Sequence, residues 1–290
     1  MKILFVGVFN KESTNTSQLK GFKNLGCDVL EYPYRDKLSL FNNNIELRDN
    51  DLIKVCESYK PDITLFSKCN NMDSYVVYTC NRFSKTVYWY MDYIHNLTDE
   101  CLSKIRLSDY VFCSRNAALN IASKINNKSY FLHEGFDEEN NIYINDIEQD
   151  IDVSFIGTLN DHGCHNNRTE YQKEIQFKVY NNVYNIEHSK TVCRSKINLN
   201  FTEGDGSSDR IYKLLASKGF VLTQPWEGID NDFTIGRDLD TFNNINELKE
   251  KINYYLDNND IRLQIAENGY KTVQKFNRTN WAKTIINIVK

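Results

Sequence analysis

The chain has no Cys-x-x-Cys pair; its eight cysteines, at 27, 56, 69, 80, 101, 113, 164 and 193, are scattered through apolar segments. That spacing argues against zinc knuckles and thioredoxin-type redox pairs, and buried free thiols are expected. Positive charge is not in excess either. With a net charge of −4 and a pI of about 5.8, the surface as a whole lacks the field that draws a protein to duplex nucleic acid. The apolar opening, Met1 to Phe9, is too short for a signal peptide and far too short for a membrane span, so a soluble cytoplasmic protein is expected. Gly7 stands alone after the first apolar run, with no Gly-x-Gly-x-x-Gly, which disfavours an ordinary NAD enzyme. A Gly-x-x-x-x-Gly-Lys-Ser/Thr phosphate loop and a Gly-x-Ser-x-Gly nucleophile turn are missing too.

What is present is enough to build packed cores: 41% apolar residues, with 16 Phe and 18 Tyr. At 290 residues the chain exceeds the usual ~100–200 of one domain, so two are expected. Short β-branched or aromatic runs alternate with helix-compatible stretches, the rhythm of an α/β protein. Strands are expected at Lys2–Phe9, Cys27–Tyr32, Asp62–Phe66, Thr86–Tyr90, Tyr110–Cys113 and Tyr130–Leu132. The Asn/Asp/Glu-rich segment Asp137–Asp150 reads as a linker, after which Ile151–Ile156, Lys196–Phe201 and Phe220–Thr223 repeat the strand pattern. The domains expected are 1–140, 141–275, and a C-terminal helix over 276–290 that packs back on the first. Two doubly wound sheets of this kind bind ligands at the carboxyl ends of their strands, and the expected architecture is two Rossmann-like domains facing a cleft.

The most informative stretch runs from Glu203 to Trp226 and reads as loop, helix, turn and strand. Ser207, Ser208 or Asp209 caps the helix, and Gly219 suits its left-handed end. Arg210, Lys213 and Ser217 share one face, while Ile211, Leu214 and Leu215 form the buried side. A diphosphate needs backbone N–H donors, the positive end of a helix dipole and a guanidinium, all of which this helix start can supply. A solvated helix face is the other reading of Arg210 and Lys213.

The segments Ser208–Thr223, Phe233–Phe242 and Glu247–Leu256, in this order, resemble the CgeB-like glycosyltransferases of the GT-B superfamily over roughly residues 150–275. The resemblance implies a transferase that takes a sugar from a nucleotide-sugar co-substrate, UDP- or GDP-linked, and uses no bound metal or other cofactor. It also implies that Gly157, Thr158 and Arg168 lie beside the donor phosphates with Arg210, Lys213, Ser208 and Asp209. A tight strand exit is the alternative for Gly157. Retaining relatives carry Glu where Lys213 stands, the acid that holds the donor ribose; Glu203 and Glu227 are the substitutes in this chain. Gly135, in His133-Glu-Gly-Phe-Asp137, resembles the turn where related enzymes bring the linker against the donor, with Asp137 meeting ligand or capping the linker. His162, Cys164 and His165 lack a fourth ligand, so no metal site is expected there.

Sugar transfer requires the acceptor hydroxyl to lose a proton, and an inverting enzyme places a carboxylate or imidazole beside it. Asp92 and His95 follow the strand Thr86–Tyr90 and are the candidates, with a helix cap as the alternative for Asp92 and a surface histidine for His95. Donor base, acceptor (sugar, glycan, protein or modified DNA base) and oligomeric state are left open by these motifs. So are two further readings: a nucleotide-sugar epimerase on the same fold, and a noncatalytic nucleotide-sugar-binding or surface protein.

Overall fold

The computed structural model of the chain describes residues 1–159, 168–202, 204 and 206–290. Its first sheet contains β1 (Lys2–Gly7), β2 (Asp28–Pro33), β3 (Ile63–Ser67), β4 (Lys85–Tyr90), β5 (Tyr110–Cys113) and β6 (Ser129–Phe131). All pair in parallel, in the order β2-β1-β3-β4-β5-β6. The inner strands are apolar on both faces because helices cover both. Leu4, Val6, Tyr88, Tyr90, Val111 and Cys113 pack on one side, with residues from α2 (Tyr34–Leu40), α3 (Ile45–Tyr59), α4 (Ser74–Cys80), α5 (Asp99–Leu107) and α6 (Asn116–Ile125). On the other, Ile3, Phe5, Leu65, Val87, Trp89 and Phe112 meet α1 (Thr14–Asn24) and the chain's last helix, Arg278–Val289. That helix is seated by Trp281, whose ring meets Phe22 and Trp89 edge-on at 5.7 and 5.5 Å.

The second sheet is built from β7 (Ile151–Ile156), β8 (Lys178–Tyr180), β9 (Ser195–Asn200), β10 (Val221–Thr223) and β11 (Asp240–Thr241), again parallel, in the order β11-β10-β9-β7-β8. Its helices are α7 (Arg168–Glu174), α8 (Asn185–Arg194), α9 (Asp209–Ala216), α10 (Ile229–Asp232), α11 (Ile245–Asp257) and α12 (Asn259–Val273); the closing helix is α13. In each sheet the first strand lies between the second and the third, so successive connections leave it on opposite sides and a topological switch point opens at its carboxyl end.

The chain divides into a unit of Met1–His133 with Arg278–Lys290, and a unit of Glu134–Asn277. The first crossover thus lies ahead of residue 140, because the segment after Glu134 is bonded within the second unit. The Phe136 amide donates to the Phe276 carbonyl at 3.1 Å, and the Ile142 amide to Ser189 Oγ at 3.2 Å. All seven described cysteines are free thiols, six of them buried. No described helix is long and apolar enough to cross a membrane.

Candidate functional site

In the second unit the switch point lies between the carboxyl ends of β7 and β9, and Arg210 occupies it. From the first turn of α9 its Nε donates to the Ile156 carbonyl at 2.8 Å and its Nη1 to Asn200 Oδ1 at 3.0 Å, one bond to the end of each strand. Gly157 makes this possible. A Cβ there would lie 2.9 Å from Arg210 Nη2 and 2.8 Å from the Phe155 ring, so the guanidinium fills space that a side chain would need. Arg168, buried, donates to the carbonyls of Thr158 at 3.0 Å and Phe201 at 3.3 Å. The guanidinium carbons of Arg168 and Arg210 stand 5.3 and 5.1 Å from the Phe155 ring centre, so two cations gather on one aromatic face or its opposite.

The N-terminus of α9 opens at the same place. Ser208 is its N-cap, with extended backbone, but its side chain makes no capping bond. Ser208 Oγ is buried and without a hydrogen-bond partner among the described residues, whereas Ser207 Oγ is paired with the Tyr212 hydroxyl at 2.7 Å. Lys213 reaches Asp209 at 2.5 Å, an i,i+4 ion pair that ties both side chains to the helix surface. α9 stops at Ala216, and the left-handed residue after it is Lys218 (φ 58°), not Gly219. Gly219 answers to packing: a Cβ would come within 2.6 Å of Val192 and 2.9 Å of Asn198 Nδ2. Beside this helix His188, on α8, is buried, with Nδ1 unpartnered among the described residues; burial first, then Lys213, pushes its pKa down to about 3.

The other residues singled out from sequence are dispersed. Glu203, His162, Cys164 and His165 lie outside the described residues. Glu227 is exposed, its amide bonded to the Gly204 carbonyl at 2.7 Å. Gly135 is left-handed at φ 76°, and a Cβ there would meet the Phe276 carbonyl at 2.2 Å, so it serves the crossing of two chain segments. Asp137 caps that linker, accepting from the Glu139 amide at 3.0 Å and Asn140 Nδ2 at 2.6 Å.

The sequence reading takes an Asp-x-Asp motif to be missing, but the sequence holds four: Asp49-Asn-Asp51, Asp150-Ile-Asp152, Asp230-Asn-Asp232 and Asp238-Leu-Asp240. Asp238 accepts from the Thr234 amide, Asp240 holds Lys251 and the Tyr255 hydroxyl, and burial raises Asp232 to about 6. Among the described residues no three His, Cys, Asp or Glu side chains could together hold a metal.

In the first unit, Asp92 is not a helix cap. It follows β4 and pairs with the ammonium of Lys68, which follows β3. Lys68 was missed by the sequence reading; its position just past a strand end was the available signal. His95 is exposed and lies in a 3-10 turn, its ring stacked on Tyr93 at 5.5 Å and 9°. The Arg115 guanidinium stands 3.7 Å from the Tyr93 ring centre and steadies the same loop.

No curated protein matches the chain in sequence. Residues 143–287 match the family model described as glycosyl transferase-like. Among solved structures, Anabaena HepE in complex with UDP-glucose aligns with a TM-score of 0.69 at 11% identity, over 99% of this chain and 98% of that one. Sucrose-phosphate synthase of Thermosynechococcus elongatus aligns with a TM-score of 0.74 at 9% identity, over 99% and 98%. A UDP-N-acetylglucosamine 2-epimerase of Listeria monocytogenes, so described provisionally, aligns with a TM-score of 0.58 at 11% identity, over 100% and 95%. At these identities what is shared is the fold, GT-B.

Proposed function

This chain belongs to the glycosyl transferase-like family, and from that premise we propose that it moves a hexosyl or pentosyl group from a UDP- or GDP-linked donor to an acceptor hydroxyl without a bound metal. The supporting observation is the Arg210 guanidinium, bonded to the ends of both β7 and β9 beside the start of α9, where the Ser208 hydroxyl makes no capping bond and has no partner among the described residues. A guanidinium, a hydroxyl donor and the positive end of a helix suit the diphosphate, whose charge grows as the sugar leaves. Arg168 is turned to backbone carbonyls, so its part is to add positive potential and to brace the Thr158 turn. Lys213 is paired with Asp209 and contributes to the same field. Asp92 is the proposed base for the acceptor. The order of motifs from Ser208 to Leu256 makes the CgeB-like subgroup the proposed affiliation, with a cytoplasmic site of action.

UDP-glucose is the first donor to test, because HepE was solved with it. Thermal unfolding with UDP, GDP, UDP-glucose and GDP-mannose comes first; a ligand at about 100 times its Kd stabilises by about 2.7 kcal/mol. Release of the nucleoside diphosphate on adding glycan, protein or modified-base acceptors follows. A protein whose melting none of these nucleotides moves would end the assignment. The epimerase reading has its own support in the Listeria likeness, and incubation of UDP-N-acetylglucosamine without acceptor decides it by the appearance of a changed sugar. Binding of donor with neither transfer nor epimerisation would mark a noncatalytic binding protein.

A further inference from the structure

The loop that leaves β3 is unusual in its backbone. Lys68, Cys69 and Asn71 all have left-handed φ angles, 58°, 50° and 57°, a conformation that residues with a side chain adopt at a cost. Three buried side chains hold it. The Tyr88 hydroxyl donates to the Lys68 carbonyl at 3.0 Å, the Lys104 ammonium to that of Cys69, and the Arg48 guanidinium to that of Asn71 at 2.6 Å. The Lys68 amide meanwhile donates to the Trp89 carbonyl at 2.9 Å. Backbone so far from its preferred conformation persists only where its surroundings over-determine it.

What the loop achieves is a contact: Lys68 Nζ lies on Asp92 Oδ2. The two side chains are 24% and 30% exposed, so a substrate can reach them, and the contact engages Asp92 Oδ2 rather than Oδ1. We propose that Lys68 is the positioning residue of Asp92, turning one carboxylate oxygen away and holding the group ionised so that the other can take the acceptor's proton. The inference rests on the reading of Asp92 as base. In that step the acceptor O–H bond breaks and its proton goes to Asp92. The acceptor oxygen bonds the anomeric carbon, and the bond from that carbon to the diphosphate breaks with its electron pair leaving on the diphosphate.

The charged and titratable groups facing Lys68 are Arg35 from α2, the Cys101 thiol from α5 and the Tyr88 hydroxyl, which holds its carbonyl. Burial, first of all, lowers the Lys68 pKa; the Cys101 thiol opposes this and Arg35 adds to it.

The test is carbonyl-13C NMR of protein labelled at the aspartate side-chain carboxyl, with the Asp92 signal assigned by its loss in Asp92→Asn. Lys68→Met should raise the titration midpoint of Asp92 by about one to three pH units, and Lys68→Arg should return it close to the wild-type position. If Lys68→Met does not fold, Lys68→Gln takes its place. An Asp92 midpoint unchanged by loss of the ammonium overturns the proposal, whatever the donor proves to be. The acidic limb of kcat/KM for UDP release from UDP-glucose should move by the same interval. A midpoint that moves while that limb stays reduces the pair to a structural contact and equally overturns the proposal. Absence of any turnover in the wild type strikes the transferase reading instead, while the NMR titration still decides the pairing.

Discussion

Each parallel sheet opens a gap at the carboxyl end of its first strand, and the two units fill it with different chemistry. In the first unit Asn15, near the start of α1, reaches over Gly7; its Oδ1 accepts from the Val8 amide at 2.9 Å, and its Nδ2 donates to Gln18 and Ser67, each at 2.8 Å. A Cβ on Gly7 would sit 2.7 Å from that oxygen. α1 is also capped by its own N-cap, Ser13. In the second unit Arg210 reaches past Gly157, and the N-cap Ser208 hydroxyl has no partner among the described residues. The same strand order therefore yields one switch point closed by a neutral amide network and one that carries a cation and an open helix start. Topology sets where a ligand can bind; the side chain in the gap decides whether an anion is welcome.

The comparison breaks most sharply at Arg210. Arg210→Ala should lower kcat/KM for nucleotide-sugar turnover by about 10²–10³-fold, the usual cost of losing a donor to developing charge. Steady-state assays of UDP release give the number, and wild-type rates in that variant would dissociate the switch point from catalysis.

Acid should separate the units next. His188 is held neutral in the second unit with a pKa of about 3, against 6.5 for an unperturbed imidazole. Between those values the unfolded chain binds a proton that the native protein refuses, so stability is full above about pH 6.5 and falls as pH drops, by about 1.4 kcal/mol per unit. Urea unfolding of wild type and His188→Gln between pH 7 and pH 4.5 checks this; parallel slopes would refute it.

Asn15→Ala should act on stability alone. Leaving the Val8 amide and the Ser67 hydroxyl without their partner costs about 1–3 kcal/mol, read as a lower urea midpoint, while nucleotide affinity by calorimetry stays at its wild-type value. A loss of affinity instead would mean that the first unit's switch point also serves the donor. Lys213→Ala is the smallest effect. Its pair with Asp209 is partly exposed and of i,i+4 type, worth about 0.3–0.5 kcal/mol to the helix, and chemical denaturation should register no more than that.

Periodicity and turn chemistry made the long elements legible. The strands at Lys2, Asp62, Thr86, Tyr110 and Ile151 are runs of branched and aromatic residues, buried on both faces, and such runs have few alternative structures. β8 and β11, three and two residues long, were not expected, whereas the equally short β6 and β10 were visible in the apolar runs Tyr130–Leu132 and Phe220–Thr223. Gly219 was assigned to a left-handed helix end because glycine usually marks one, yet Lys218 takes that conformation and Gly219 makes room for Val192. Lys68 escaped for another reason: its place past a strand end was visible, but its partner is 24 residues away, past the end of the next strand, and no local pattern pairs the two.

By itself the sequence determined the α/β alternation, the helix that starts at Asp209 and the apolar faces that bury the strands, since each depends on residues close together in the chain. Only the tertiary structure decided that Arg210 would bond Ile156 and Asn200, that Asn15 would close the first unit's gap, and that Lys68 would meet Asp92. The first two join strands that are neighbours in the sheet but not in sequence, and the third joins residues 24 apart at the ends of adjacent strands, so all exist only once the strands have paired.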